Sequence, residues 1–402
     1  MVLLYNTALF IYLQAAKLLA LRSKKARLWV HGQRQRVPEL DRSLWFHFAS
    51  LGEFEQGRSV LVAARQQYAG VPVLVTFFSP SGYEVRKNTP LADHVLYLPL
   101  DSAKNARRFI AAVKPVAAFF TKYEYWYHYY TTLKEQRIPL YLFSAIYRPG
   151  QPFFRWYGGL HREMLRCITR IFVQNEESQI LLGEIGITNV IVSGDTRFDR
   201  VRENAAQVKQ LPEIEIFRGE NSLLIGGSTW PKDEELLFSL LKIPQAEGWR
   251  MVIAPHETDK ARIDTLMEKA GPAAIPYSTW VQDPQREHAY RILVIDNIGM
   301  LSSLYQYGRI ALIGGGFGAG IHNTLEAAAF GLPVIFGPNY HKFQEAKDLI
   351  ATGAGFCVTD DAVFTRIFSA LQNEATLQAA SAKAREYVGD HSGATDIIIR
   401  HL

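Results

Sequence analysis

Strand-like apolar runs alternate with helical stretches along most of this chain, and no other feature restricts its fold as strongly. Ser43–Ala49 reads as a short buried strand, and Val71–Phe78, His94–Leu98, Val116–Thr121, Pro139–Ala145 and Arg170–Gln174 continue the series. Helical patterns such as Gly57–Tyr68 and Ser102–Val113 lie between them. Repeated strand–helix–strand units build a parallel sheet. The pattern weakens over Asp199–Asn221, a polar, acidic stretch with Pro212, which reads as a linker. It restarts at Ser222–Gly226, Arg250–Ala254, Arg291–Ile295, Ile310–Ile313 and Pro333–Phe336. A length of 402 residues fits two domains. The expected fold class is therefore α/β: two doubly wound, Rossmann-like domains facing a central ligand cleft. The helical stretch Leu377–Val388 is expected to pack back across the hinge.

Met1–Leu21 is apolar except for Asn6, Thr7, Gln14 and Lys17, which share an arc of roughly 100° on a helical wheel. Arg22, Lys24, Lys25 and Arg27 follow at once. An amphipathic helix with this basic cluster fits a bilayer interface, its cations meeting anionic headgroups. The length also suffices to span a bilayer, although Lys17 and the polar stripe count against that, and a helix packed on the protein's own core is the third reading. No signal-peptide cleavage pattern follows the apolar segment.

Hydrophobic residues make up 48% and charged residues 21%, which excludes wholesale disorder. A net charge of +5 fits an acidic ligand or an anionic surface and gives little support for nucleic-acid binding. The two cysteines, Cys167 and Cys357, form neither a disulfide framework nor a zinc spacing, which fits a reducing compartment.

The richest segment for chemistry is Ile313–Pro338, where a strand runs into Gly314, Gly315 and Gly316, then Gly318 and Gly320. Such glycines let backbone N–H groups approach an anion, and a helix expected to start near His322 and Asn323 points its positive end into the same space. Glu326, one turn beyond Asn323, could accept hydrogen bonds from ribose hydroxyls; a glycine turn that merely packs tightly is the alternative. Glu53, in Ser50-Leu51-Gly52-Glu53, sits at the carboxyl end of a strand and could take a proton from a hydroxyl, or could simply complement a helix N-terminus. Glu124 follows another strand among aromatics that would raise its pKa, unless it pairs with Lys122 or Arg148. Arg197 could meet a phosphate or carboxylate, or pair with Asp199. Ser228 and Thr229 suit a phosphate or an ordinary helix cap. There is no D-x-D, no metal-ligand spacing, no G-x-S-x-G and no Walker motif, so a metal-free mechanism is preferred.

In this order, these pieces resemble the 3-deoxy-D-manno-octulosonic acid (Kdo) transferases of lipopolysaccharide assembly, over nearly the whole chain. The carriers are Ala49-Ser50-Leu51-Gly52-Glu53, Lys122-Tyr123-Glu124-Tyr125-Trp126, Gly194-Asp195-Thr196-Arg197-Phe198-Asp199, Gly227-Ser228-Thr229, Asp296-Asn297-Ile298-Gly299 and Gly320-Ile321-His322-Asn323-Thr324-Leu325-Glu326, with Gly337-Pro338. Lys25-Ala26-Arg27-Leu28-Trp29 looks like the version found in Bacteroidetes-type members. The resemblance implies an inverting, metal-independent GT-B glycosyltransferase without cofactors. It would move Kdo from CMP-Kdo to a lipid A precursor at the cytoplasmic face of the inner membrane, with no nucleic-acid partner. Glu53 matches the family's general base, Glu124 and Arg197 its transition-state stabilisers, and Gly299, Asn323 and Glu326 its CMP contacts, with Ser228, Thr229, His256, Gly316 and His322 grouped beside them. Two departures stand out: Ala254-Pro255-His256 lacks the arginine of the family's Pro-Arg-His, leaving His256 or Arg197 to meet the phosphate, and Arg197 stands where the family has lysine. The implied layout is a membrane-associating segment 1–30, an acceptor-binding domain 31–205, a CMP-sugar domain 206–385 and a tail 386–402 crossing back. A GT-B enzyme using a UDP-sugar is the competing reading; a nicotinamide-dependent reductase, disfavoured by the late glycine loop, and a membrane-tethered sugar-binding scaffold are the others.

Overall fold

A computed structural model of the chain describes residues 1–284 and 290–402. The chain forms two compact units, Met1–Arg200 with Ser392–Leu402, and Val201–His391.

The first unit is built on strands β1 (Ser43–Phe48), β2 (Val73–Phe77), β3 (His94–Tyr97), β4 (Pro115–Thr121), β5 (Leu140–Ala145), β6 (Arg170–Val173) and β7 (Val190–Val192). They form one sheet in the order β3-β2-β1-β4-β5-β6-β7, with all neighbours parallel. Every residue of β1 is buried, because helices cover both faces of a doubly wound sheet and leave a central strand no wet side. Trp45 packs into one face with Phe109, Phe120 and Tyr129, while Phe46 stacks on Phe119 on the other. Since β1 and β4 are neighbours, the loops leaving their carboxyl ends lie side by side.

The second unit repeats the plan with β8 (Ser222–Thr229), β9 (Trp249–Pro255), β10 (Ala274–Pro276), β11 (Ile292–Val294), β12 (Ile310–Ile313), β13 (Val334–Phe336) and β14 (Gly355–Cys357). The order is β10-β11-β9-β8-β12-β13-β14, again all parallel. Here the loops after β8 and β12 are the adjacent pair.

Several expectations change. The linker read over Asp199–Asn221 contains helical structure, Thr196–Ala206 and Pro212–Arg218. Asp199 does not pair with Arg197; its carboxylate accepts the N–H groups of Gly393 and Thr395, at 2.5 and 2.6 Å. The long helix over Leu377–Val388 (Glu374–Asp390) stays with the second unit, and it is the final helix, Ala394–Arg400, that joins the first. Three strands escape the sequence pattern, β7, β10 and β14, each three residues long.

At the N-terminus, helix α1 (Val2–Leu19) leads to α2 (Lys24–Gly32), capped by the Ser23 hydroxyl. One side of α1 docks on the first unit: the Tyr5 hydroxyl donates to Asp101 at 2.6 Å, the Asn6 side chain bonds His128 at 2.7 Å, and Tyr12 meets Trp29 edge-on. Its other side leaves Leu3, Leu4, Phe10, Ile11, Leu18 and Leu19 exposed. Of the polar stripe, Asn6 bonds His128, while Thr7, whose hydroxyl bonds back to the carbonyl of Leu3, and Lys17 stay exposed. Among the described residues, α1 is the one helix long and apolar enough to cross a membrane.

Candidate active site

Helix α3 (Leu51–Gln67) starts immediately after β1, with Ser50 as its cap and Glu53 in its first turn. The Glu53 side chain folds back so that Oε2 accepts the Ala49 N–H at 2.6 Å. Burial, followed by the negative charge of Glu124, pushes its carboxyl up to about 7, against the opposing Ala49 bond and the Lys122 ammonium. A carboxyl tuned to that range holds its proton weakly enough to give and take near neutral pH.

Glu124 lies in the loop after β4. Its Oε2 accepts the Trp126 indole N–H at 3.0 Å and lies 3.1 Å from His47 Nε2. These are its partners, rather than Lys122 or Arg148. His47, fully buried within β1, reaches Thr76 Oγ1 with Nδ1 at 2.9 Å, and Thr76 also accepts the Trp45 indole N–H at 2.9 Å. A chain of hydrogen bonds through the sheet thus fixes the carboxylate whose charge acts on Glu53. Sequence reading missed His47, although a histidine inside an otherwise apolar strand signals a polar group that must be paired.

Arg197 opens the helix that follows β7. Its Nε donates to Asp195 at 2.8 Å, and Asp195 also accepts the Gln56 amide of α3 at 2.7 Å. The Thr196 hydroxyl donates to the carbonyl of Gln56 at 2.7 Å. The guanidinium, about one-third exposed, is therefore fastened to the helix that carries Glu53.

In the second unit, β12 ends in the glycine loop. Much of its amide capacity is spent internally: Gly314 donates to the carbonyl of Gly227, Gly315 to Asp233, and both Gly318 and Gly320 to the carbonyl of Gly315. Gly316 has no room for a side chain, since a Cβ would stand 2.5 Å from the Gly337 nitrogen. The following helix begins later than expected, at Leu325 (Leu325–Ala329), while Asn323 donates to Glu326 Oε1 at 2.9 Å and accepts the Leu325 N–H. Thr229 is a buried strut bonded to Glu234 rather than a helix cap, and Ser228 sits at positive φ beside it. Gly299, also at positive φ, is exposed after β11.

Trp230, His256 and His322 form a stack, with ring centroids 4.9 and 4.4 Å apart, and the Trp230 indole donates to His322 Nε2 at 3.1 Å. Burial and the neighbouring His256 lower the pKa of His322, which favours its neutral, accepting form. A cavity of about 520 Å³ opens between this stack and the glycine loop, with Lys232 and Phe317 in its wall. Asp233 at its edge bonds both the Trp230 and Gly315 amides through Oδ2, at 2.9 Å each. Trp230 and Asp233 were not anticipated; the Pro231-x-Asp233 pattern of a helix start was the available signal.

Residues 21–200 match the family model of 3-deoxy-D-manno-octulosonic-acid transferases (kdotransferases). The chain is 27% identical over 393 residues to a 3-deoxy-D-manno-octulosonic acid transferase of Bordetella pertussis, covering 92% of this chain and 89% of that protein. It is 25% identical over 325 residues to the one of Aquifex aeolicus, with 79% and 83% covered. Among solved structures, UDP-GlcNAc 2-epimerase from Neisseria meningitidis, bound to UDP-GlcNAc, superposes with a TM-score of 0.59 at 16% identity, covering 87% of this chain and 99% of that one. The two-sheet α/β plan is thus the GT-B fold.

Proposed function

We propose that this chain is a member of the Kdo transferase family, which its matches support, and transfers Kdo from CMP-Kdo to a lipid A precursor at the cytoplasmic face of the inner membrane. The observation that carries the reaction is Glu53, a half-buried carboxyl raised to about 7 at the carboxyl edge of a parallel sheet, where open α/β sheets bind their ligands. Its Oε2 is occupied by Ala49, so Oε1 is the atom offered to an acceptor hydroxyl.

In this reading the acceptor O–H gives its proton to Glu53 as its oxygen bonds the anomeric carbon of Kdo. The bond from that carbon to the CMP phosphate breaks, and the electron pair leaves with CMP. Attack opposite the leaving group inverts the centre. Glu124 keeps Glu53 basic enough to accept the proton, and Arg197 meets charge growing on the phosphate. In this reading the nucleotide is assigned to the second unit, with the Asn323–Glu326 pair to meet the ribose and His256 and His322 to meet the phosphate. No step calls for a metal. The docked helix α1, apolar on its outer side and followed by Arg22, Lys24, Lys25 and Arg27, lies in the membrane interface.

The test is incubation with CMP-Kdo generated in situ and a tetra-acylated lipid A precursor, with and without EDTA, read by mass spectrometry of the lipid. We expect a mass increase of one or more Kdo residues, unaffected by chelation, and inhibition by CMP rather than UDP. Transfer from a UDP-sugar instead, or none from CMP-Kdo, would overturn the reading.

A further inference from the structure

The first unit holds an apolar cavity of about 390 Å³. Its walls come from α1 (Tyr12, Ala15, Ala16, Leu19), from α2 (Trp29) and from the turn after β2 (Phe78). Alanines at 15, 16 and 26 leave the space, and three rings shape it: Tyr12 against Trp29 at 5.3 Å, Trp29 against Phe78 at 5.7 Å, and Tyr12 against Phe78 at 6.1 Å. The lining is mostly carbon, with Ser23, Lys25 and Ser79 as its polar members. Leu19, one of the lining residues, also belongs to the exposed apolar side of α1, so the cavity is continuous with the surface read above as membrane-facing.

Its floor is wired to the proposed base. Ser79 N–H donates to the carbonyl of Ala49 at 2.8 Å, and the Ala49 N–H is the group that holds Glu53 Oε2. Phe78 packs on Trp126 at 5.1 Å, whose indole holds Glu124. Two lining residues, Ser79 and Phe78, thus contact the groups that hold the two carboxylates, Ala49 and Trp126.

We propose that this groove seats one acyl chain of the lipid acceptor, with Lys25 at its rim facing the acceptor's phosphate and the sugar delivered to Glu53. The proposal rests on the transferase reading above and adds where the acceptor is gripped. A water-exposed apolar slot continuous with a membrane-facing surface suits a hydrocarbon chain, and the cation beside it suits an anionic headgroup. Binding should then scale with chain length, at roughly fourfold per methylene removed from water.

Ala15 is exposed at the groove edge, so Ala15→Trp fills the slot without touching the core; Ala26→Trp fills it from α2. Two measurements decide. With saturating CMP-Kdo, each variant should raise KM for the tetra-acylated acceptor at least tenfold while leaving kcat/KM for the deacylated disaccharide unchanged. Independently of transfer, the fluorescent acid 11-(dansylamino)undecanoate should bind the unmodified protein saturably and bind each variant at least tenfold more weakly. Added tryptophan surface would strengthen nonspecific binding, so weakening reports the groove. Unmodified probe affinity in both variants, or equal losses on both acceptors, would overturn the proposal. If the unmodified protein transfers Kdo to neither acceptor, the transferase reading fails, while the probe still decides whether the groove takes an acyl chain.

Discussion

Glu53 is where one residue's environment controls the chemistry. Its carboxyl is raised to about 7 first by burial and then by Glu124. A general base works only when ionised, so kcat/KM should rise with pH through about 7 and level off above it. Glu124→Gln removes the like charge, and the rise should move to lower pH. A profile that stays in place would show that Glu124 does not act on Glu53. Glu53→Gln should lower turnover roughly 10²–10⁴-fold with CMP binding retained. The same raised pKa has a stability sign. The folded state holds this proton more tightly than the unfolded chain, so stability is lost as pH rises from the ordinary carboxyl range through 7. Glu53→Gln should therefore be more stable than the parent at pH 8, by on the order of 1–3 kcal/mol at most, and lose that advantage at pH 4, as denaturant unfolding at the two pH values would read. The place of Glu53 after a strand was legible from Ser50-Leu51-Gly52-Glu53. Its desolvation was not, because the groups responsible, Glu124 with its His47 and Trp126 partners, come from residues far apart in sequence that only the β1–β4 pairing brings together.

At the scale of elements, legibility followed the apolar run rather than the strand alone. Strands of four or more residues, such as β1, β2 and β5, stood out as apolar runs. Of the three-residue strands, β11 and β13 lie in the readable runs Arg291–Ile295 and Pro333–Phe336, whereas β7, β10 and β14 show no period of their own and are strands because a neighbour supplies a ladder. The glycine loop was visible, but not that Asp233 and neighbouring carbonyls take up many of its amides. Helix α1 shows the same limit. Its wheel suggested a polar stripe against an apolar face, whereas docking through Tyr5 and Asn6 turns part of that stripe inward and leaves Phe10 62% exposed on the outer side. Phe10→Asp places a charge where the bilayer interface is expected and touches no core contact. It should weaken flotation with phosphatidylglycerol vesicles by about 100-fold, near 3 kcal/mol, without lowering the melting temperature. Unchanged flotation would remove α1 from membrane attachment.

At the scale of the whole molecule, the chain leaves the first unit within the helix Thr196–Ala206 and returns to it at Ser392. The return is fixed by one buried carboxylate. Asp199 holds the Gly393 and Thr395 amides, and beyond them Ile398 enters the core formed by Phe46, Phe48, Val60 and Phe172. The final helix also packs along α3, which carries Glu53. In sequence, Asp199 is one more charge in a polar stretch, since the partner that explains it lies almost two hundred residues on. If the tail is an integral piece of the first unit, Asp199→Ala strands the part-buried Gly393 amide and the buried Thr395 amide and should cost that unit about 2–4 kcal/mol. Ile398→Ala should cost a comparable amount by opening a cavity. Calorimetry should then show the transition of the first unit moving down while that of the second, which contains neither residue, stays where it was. Equal displacement of both transitions would mean that the tail stabilises the molecule as one block. No displacement of either would mean that the Asp199 contacts do not hold the tail in solution.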